Sequence, residues 1–300
     1  LNLTIENVGL SVGDSEQTTG VRLNDRDRCL DAVHGLNLTL WMPHEESGEN
    51  SDEMAGGTVN GIAVGLPLTG AKRLRGVGVG VGIAVNETVS GVTATPVGLG
   101  SGGRLRGVAV GGLVLGAGEH LDGIMFGGLG AGVGERANGI LVGGLGAGAG
   151  GSATGFLVGG AGAGAGDEAR GILLGGLGAG AGESATGFLV GGVGAGTGEH
   201  LTGGGLSAGA VGAGETLNGI GIGGLGVGAG QALSGIVISG GVAGSQNLTG
   251  LGIAGGYMRI EEGVLRGVSV SGVNDIRGTQ RGLTIGLGNY ARTLHGGQLG

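Results

Sequence analysis

Proline, cysteine and aromatic residues are scarce in this chain. Its 300 residues include three prolines, one cysteine, three Phe, two Tyr and one Trp, and 13% of them are charged. Because large and aromatic side chains provide most of the buried area of an ordinary core, this composition excludes the wide core of a conventional 300-residue α/β enzyme domain. Collagen is excluded as well, because proline is rare and glycine does not recur at every third residue.

Positive charge is also in short supply. The chain has 15 Lys and Arg against 23 Asp and Glu, which gives a formal net charge of −8. A nucleic-acid-binding protein needs a basic face to meet phosphates, so the composition excludes that class. Hydrophobic residues make up 40% of the chain and its mean hydropathy is +0.34, so it is not a disordered chain either. Cys29 has no cysteine partner and no Cys/His group has zinc-site spacing, and we predict no metal and no cofactor.

Glycine is what the chain has in abundance, with 86 residues against about 7% in ordinary domains. The glycines that precede an apolar triplet recur every 16 residues from Gly91 to Gly235, and at 15 to 17 residues on either side of this segment. The aligned glycines are Gly20, Gly35, Gly61, Gly76, Gly91, Gly107, Gly123, Gly139, Gly155, Gly171, Gly187, Gly203, Gly219, Gly235, Gly250, Gly267 and Gly282. A fixed short period over most of a chain is typical of a solenoid.

Within one unit the apolar residues alternate with a period of two. We number the unit from its glycine, so that the unit 171–186 has Gly171 at position 1 and Thr186 at position 16. The alternation predicts strands, whereas a helix needs a period of 3.6 and would lose about 1 kcal/mol at each glycine. We therefore predict an all-β parallel β-solenoid with about 16 residues per coil and roughly 17–18 coils, in which positions 2 and 4 face inward and positions 13 to 16 form a polar turn.

The predicted organisation is a single solenoid over residues 1–300. Its most regular Gly/Ala-rich coils cover 107–249, and its C-terminal coils, 257–300, carry more charge. The acidic segment 42–56 interrupts the period, and insertions in solenoids map to loops, so we predict a solvated loop at a corner.

The C-terminal unit carries a family resemblance. It reads Gly282-Leu-Thr-Ile-Gly-Leu-Gly-Asn-Tyr-Ala-Arg-Thr-Leu-His-Gly296. This unit resembles the repeat of the bacterial glycine-rich surface repeat proteins first noted in Leptospira, in which a Gly-apolar-x-apolar-Gly strand is followed by Asn and a Leu-x-Gly return. Central units replace that Asn with Gly-Ala alternation, so there the resemblance extends only to the period. It implies a location in the bacterial envelope or at the cell surface, and it implies no reaction.

Stacked coils turn each position of the unit into a column, and the column at position 13 is acidic. Two interpretations stay open: a weak ridge for a hard cation such as Ca²⁺, and, as the favoured one, a turn kept polar for solubility. The carboxylates of the possible ridge are Glu119, Glu135, Asp167, Glu183, Glu199 and Glu215.

Position 3 provides the candidate functional residues. If positions 2 and 4 face inward, position 3 faces outward, and a continuous apolar row results. Its members are Met125, Leu141, Leu157, Leu173 and Leu189. Beside this row the second strand is expected to present its glycines outward as a smooth, uncharged surface. Since monomers seldom expose apolar patches beyond a few hundred Å², we predict that a partner covers this face.

The sequence therefore predicts a non-catalytic structural solenoid, because no Ser/His/Asp or Cys/His arrangement can be assembled from the units. The predicted partner is a second copy or another envelope protein, with no nucleic acid and no small-molecule substrate. The predicted location is the bacterial envelope or the extracellular surface. The alternatives are a membrane-embedded oligomer in contact with lipid, and an adhesin or weakly cation-binding surface protein.

Overall fold

The computed structural model describes residues 2–13, 15–25, 30–40 and 57–300 of the chain. The predicted acidic loop 42–56 lies outside these residues. The described part is all-β and forms a solenoid of parallel stacked coils of about 16 residues, with about 16 turns. The predicted fold class and coil length are confirmed, and the coil number is slightly below the predicted 17–18.

The chain divides into two compact units, residues 1–150 and residues 151–300. The strands of the first unit are β1 Asn2–Ile5, β2 Val8–Val12, β3 Gln17–Asn24, β4 Ala32–Thr39, β5 Thr58–Thr95, β6 Gly98–Ser101, β7 Arg104–Gly111, β8 Val114–Ala117, β9 His120–Gly127, β10 Gly130–Val133, β11 Arg136–Gly143 and β12 Gly146–Ala149. The strands of the second unit are β13 Ser152–Gly159, β14 Gly162–Ala165, β15 Glu168–Gly175, β16 Gly178–Ala181, β17 Ser184–Gly191, β18 Gly194–Thr197, β19 His200–Ser207, β20 Ala210–Ala213, β21 Thr216–Gly223, β22 Gly226–Ala229, β23 Ala232–Ser239, β24 Val242–Ser245, β25 Asn247–Ile260, β26 Val264–Ile285, β27 Gly288–Leu294 and β28 Gly297–Leu299.

Each regular coil contains one eight-residue strand and one four-residue strand, and each strand pairs in parallel with its equivalent one coil away. In the second unit β15 pairs with β17 and β16 pairs with β18. The register joins equal positions of successive units, for example Leu173 with Leu189. The hairpin of β1 and β2 is antiparallel. The predicted polar turn is shorter than expected, because it covers positions 12 and 13, and positions 14 to 16 already belong to the eight-residue strand.

The glycine at position 1 bends the eight-residue strand. All of the glycines used to align the repeat have a positive φ, which is 123° at Gly171. A Cβ built on Gly171 would overlap the carbonyl oxygen of Gly155 in the coil below. An L side chain is therefore excluded twice, by the backbone conformation and by the stacking of the coils. This is the physical reason for the most regular feature of the sequence.

Three segments of each coil face a common core. A Cβ built on Gly205, at position 3, would meet the side chain of Leu201 from position 15 and that of Val211 from position 9. The buried positions are 3, 5, 9, 11 and 15, and in the regular coils they carry Leu, Gly and Ala. The coil is therefore a narrow tube with three walls: positions 14–16, positions 2–5 and positions 8–11. The bend at position 1 and the turns at 6–7 and 12–13 separate these walls.

Candidate interaction surface

The apolar row that the sequence placed on the outside lies in the core. Met125 is 0% exposed, and Leu141, Leu157, Leu173 and Leu189 are each 1% exposed. The predicted outward orientation of these five residues is wrong, and so is the predicted inward orientation of positions 2 and 4. Side chains alternate across a strand, and a choice of the wrong parity inverts the two faces.

The outward side chains of the bent strand are those at positions 2 and 4. In the second unit they form two rows along the wall 2–5, which we call the apolar wall. The first row contains Phe156, Ile172, Phe188, Ile220, Ile236, Leu251, Val268 and Leu283, and the second contains Val158, Leu174, Val190, Leu206, Ile222, Ile238, Ile253, Val270 and Ile285. Phe156 is 49% exposed and Phe188 is 56% exposed. At Gly204, where the first row lacks a side chain, a Cβ would collide with the ring of Phe188.

The first unit has an equivalent surface of its own. Its outward residues at these two positions include Ile124, Phe126, Ile140 and Val142, and Phe126 is 42% exposed. Nearer the N-terminus the same face carries an open apolar groove of about 530 Å³. The groove is lined mainly by Val12, Leu23, Leu38, Leu40, Val64 and Leu66. It borders Leu40, where the described part of the chain pauses, and we assign no ligand to it.

The corner beside the apolar wall extends its apolar character. Position 7 carries exposed aliphatic side chains, with 61% exposure at Leu177 and 72% at Leu225. Beyond the corner, the wall 8–11 shows the pattern that the sequence predicts. Gly178 and Gly180 face outward, and Ala179 and Ala181 are buried. The predicted smooth glycine surface is confirmed for this wall.

Charge is confined to one edge of the coil. In the second unit, positions 1 to 12 contain no Asp, Glu, Lys or Arg in the six coils that begin at Gly155 to Gly235. The charged residues of these coils lie at positions 13 to 16. There Arg170 Nη2 lies 2.9 Å from Glu168 Oε2, and His200 Nε2 lies 3.6 Å from Glu215 Oε2. The coil is therefore amphipathic across its section, with its acidic corner opposite the apolar wall.

The possible cation ridge lies along this acidic corner. The backbone N–H of Glu199 donates to the carbonyl oxygen of Glu183, so the column is stacked coil on coil as the sequence predicts. Within the described residues, no group of three or more His, Cys, Asp or Glu side chains is arranged to hold a metal ion. Each coil adds one carboxylate at position 13, whereas Ca²⁺ takes six to eight oxygen ligands. The ridge offers a cation few ligands at any one point.

A cluster that sequence reasoning missed lies on the wall 8–11 near the C-terminus. The Tyr257 hydroxyl donates to Asp275 Oδ2 over 2.5 Å, and Arg277 Nε donates to the same oxygen over 3.0 Å. The hydrogen bond from Tyr257, and then that from Arg277, holds the pKa of Asp275 below its ordinary value. The same hydrogen bond, together with burial, raises the pKa of Tyr257. The signal was available in the sequence, because Tyr257 and Asp275 occupy positions that are glycine in the regular coils.

No helix in the described part of the chain has the length and hydropathy that a membrane-spanning helix requires. A comparison with protein-family models, with curated proteins and with solved structures finds no match to this chain. Its resemblance to the glycine-rich surface repeat proteins therefore stays a prediction from the residues of its C-terminal unit, and its function has to be inferred from its surface.

Proposed function

We propose that this chain is a non-catalytic structural solenoid that docks through its apolar wall as a subunit of a larger protein assembly. The bacterial envelope or cell surface, which the repeat resemblance implies, is the proposed location. The corrected orientation of the strands changes the residues of the interface that the sequence predicted, and it leaves the kind of function unchanged.

The observation that carries this proposal is the size of the exposed apolar wall. In the second unit it spans nine stacked coils. At about 4.8 Å per coil and about 3.3 Å per strand residue, it measures roughly 43 Å by 13 Å, or about 550 Å² in projection. The largest exposed apolar patch of a typical monomer is about 300–600 Å² and is often functional. The corner row at position 7 adds further apolar area, so this surface is larger than a soluble monomer usually leaves in contact with water.

The distribution of charge supports docking over catalysis. The titratable side chains of the central coils lie at exposed positions along one edge, in separate pairs such as Glu168 with Arg170. Catalysis by acids, bases or nucleophiles needs several such groups around one concave site. A rigid tube with one polar edge and one apolar wall is suited instead to fixing the spacing and orientation of neighbouring subunits.

The experiment compares the complex formed by the native chain with that of a wall variant. Leu174→Glu with Val190→Glu places two carboxylates on the apolar wall, and the matched control, Thr154→Glu with Thr186→Glu, places two on the polar edge beside Arg170. Melting curves first establish that both variants fold. In gentle extracts of cells that produce the tagged chain, we expect the native chain and the control to run in a large complex, and the wall variant to run as a free chain.

The reverse pattern decides against the proposal. If the folded wall variant stays in the same large complex as the native chain, the wall does not dock and the proposed function is wrong. If the native chain itself runs as a free monomer in these extracts, the assembly role is wrong as well.

A further inference from the structure

The apolar wall of the second unit is regular, and this regularity limits what can cover it. Successive strands of this wall pair in register, so that Leu174 lies beside Val190 and Ile222 beside Ile238. The outward side chains therefore repeat every coil, at about 4.8 Å, along two parallel rows. A surface of the same pitch can seat its rows in the groove between these rows along the whole wall, whereas an irregular surface meets them in only a few places.

We infer that the partner of the apolar wall is the same wall of a second copy of this chain, packed face to face as two sheets pack in a sandwich. This inference rests on the proposed function and names the partner that the proposal leaves open. Sheets packed in this way lie about 10 Å apart with their side chains interdigitated. A second copy is the partner whose pitch matches necessarily.

The charges of the coil agree with this arrangement. An interface that buries a charged group without a partner is costly, so the chargeless wall needs a chargeless partner surface. The wall of a second copy meets this condition over the same coils. Contact between the walls also directs the acidic corners, with Asp167, Glu183, Glu199 and Glu215 in the second unit, away from each other and into solvent.

The area is sufficient for a stable contact. Two walls of about 550 Å² bury roughly 1,100 Å² in projection, above the ~1,000 Å² expected of a specific interface. The side chains are corrugated, so the accessible surface removed from water exceeds the projected area. Isologous contact between identical patches is also the commonest way in which soluble chains form dimers.

A lipid surface fits this wall less well. Proteins at a membrane interface place Trp and Tyr at the depth of the headgroups and add basic residues beside them. The aromatic residues of the apolar wall are Phe156 and Phe188, and the charged edge of the same coils is mainly acidic. The wall therefore lacks the anchors and the charge that attract an anionic bilayer.

The first experiment measures the mass of the purified full-length chain by sedimentation velocity without detergent, from 0.1 to 50 μM. We expect the native chain and the Thr154→Glu/Thr186→Glu control to dimerise with equal affinity. The Leu174→Glu/Val190→Glu variant is expected to weaken dimerisation at least 100-fold, since each copy contributes both carboxylates to the contact. A native chain that stays monomeric at 50 μM overturns the inference.

A second experiment tests the face itself. In a Cys29→Ser background, single cysteines at Val158, Val190 and Ile253 report on the wall and a cysteine at Thr186 is the control. We expect oxidation to cross-link two copies through at least one wall position and not through Thr186. Cross-linking through Thr186 alone overturns the inference, as does a native monomer that binds phosphatidylcholine/phosphatidylglycerol vesicles through the wall. If the wall-dependent complex of cell extracts persists while the purified chain is monomeric, this inference fails and the proposed function stands.

Discussion

Leu201 fills the space that Gly205 leaves inside the coil. Leu201 is 0% exposed, and a Cβ built on Gly205 would lie 3.1 Å from Leu201 Cδ2. Two coils earlier the sizes are exchanged, with Ala169 at the position of Leu201 and Leu173 at the position of Gly205. The change from Leu to Gly along position 3 is therefore a change in which segment fills the core.

The first prediction uses this exchange. Leu201→Ala alone opens a cavity, and Gly205→Leu alone overpacks the core against Val211, so each should destabilise the fold by about 1–5 kcal/mol. The triple change Leu201→Ala, Gly205→Leu and Val211→Ala reproduces the core of the coil with Ala185, Leu189 and Ala195. We expect it to recover most of the loss, which chemical denaturation measures as non-additivity. Additive losses would show that these side chains do not share one space.

A second prediction separates the inside from the outside with two adjacent leucines. Leu173 is 1% exposed and Leu174 is 37% exposed. Leu173→Ala should cost about 2–5 kcal/mol of the free energy of unfolding, because it leaves a cavity in a narrow core. Leu174→Ala, the matched control, should cost less than about 1.5 kcal/mol. Denaturant titration of both variants checks this, and equal costs would contradict the orientation.

A third prediction concerns two glycines of one coil. Gly187 has a φ of 129°, and a Cβ there would overlap the carbonyl oxygen of Gly171. A Cβ at Gly194 would meet no atom within 4 Å. Gly187→Ala should therefore destabilise by at least about 1–3 kcal/mol, and Gly194→Ala should be neutral or stabilise by up to about 1 kcal/mol, because alanine lowers the entropy of the unfolded chain. Thermal melting in one buffer compares the two variants.

A fourth prediction follows from Tyr257 and Asp275. The pKa of Asp275 is lowered in the folded chain by the hydrogen bonds from Tyr257 and Arg277. The stabilisation is therefore fully present above the ordinary Asp pKa of about 3.9, and it is lost as the pH falls through the lowered folded-state pKa. Tyr257→Phe should raise the pKa of Asp275 and reduce this acid-dependent loss. NMR titration of the Asp275 carboxyl measures the change, and an identical midpoint in the variant would rule out the role of the hydroxyl.

A fifth prediction decides between the two interpretations of the acidic column. Glu183 and Glu199 are stacked on adjacent coils, and like charges opposite each other on a sheet repel. If the column is a solvated turn, Glu183→Gln with Glu199→Gln should raise the melting temperature at low salt, and the gain should shrink at 0.5 M NaCl. If the column binds Ca²⁺, millimolar Ca²⁺ should instead raise the melting temperature of the native chain, and the variant should lose that rise.

The fold could be predicted from the sequence because glycine at position 1 has no substitute. A positive φ and the carbonyl oxygen of the coil below both exclude a side chain at Gly171, so the repeat is visible as a glycine every 16 residues. The alternation of apolar residues with Gly and Ala then excludes helices and indicates strands. The outward glycines at Gly178 and Gly180 could be predicted in the same way.

The candidate surface could not be predicted, because both faces of the wall 2–5 are apolar. Leu173 and Leu174 are the same residue type, and hydrophobicity alone does not say which of them is inside. The informative signal was the exchange of sizes between positions 3 and 15, which only residues that share a core need. Leu201 with Gly205, and Ala185 with Leu189, carry this signal in the sequence.

The sequence by itself determined the class of the fold, the length of the coil, the bends at the position-1 glycines and the confinement of charge to one edge. These features depend on local conformation and on the period, which a single unit already expresses. Only the tertiary structure decided which parity of each strand faces the core, and with it which apolar rows contact water. That choice depends on the joint packing of three segments in a narrow tube, where the volumes at Leu201, Gly205 and Val211 have to fit together.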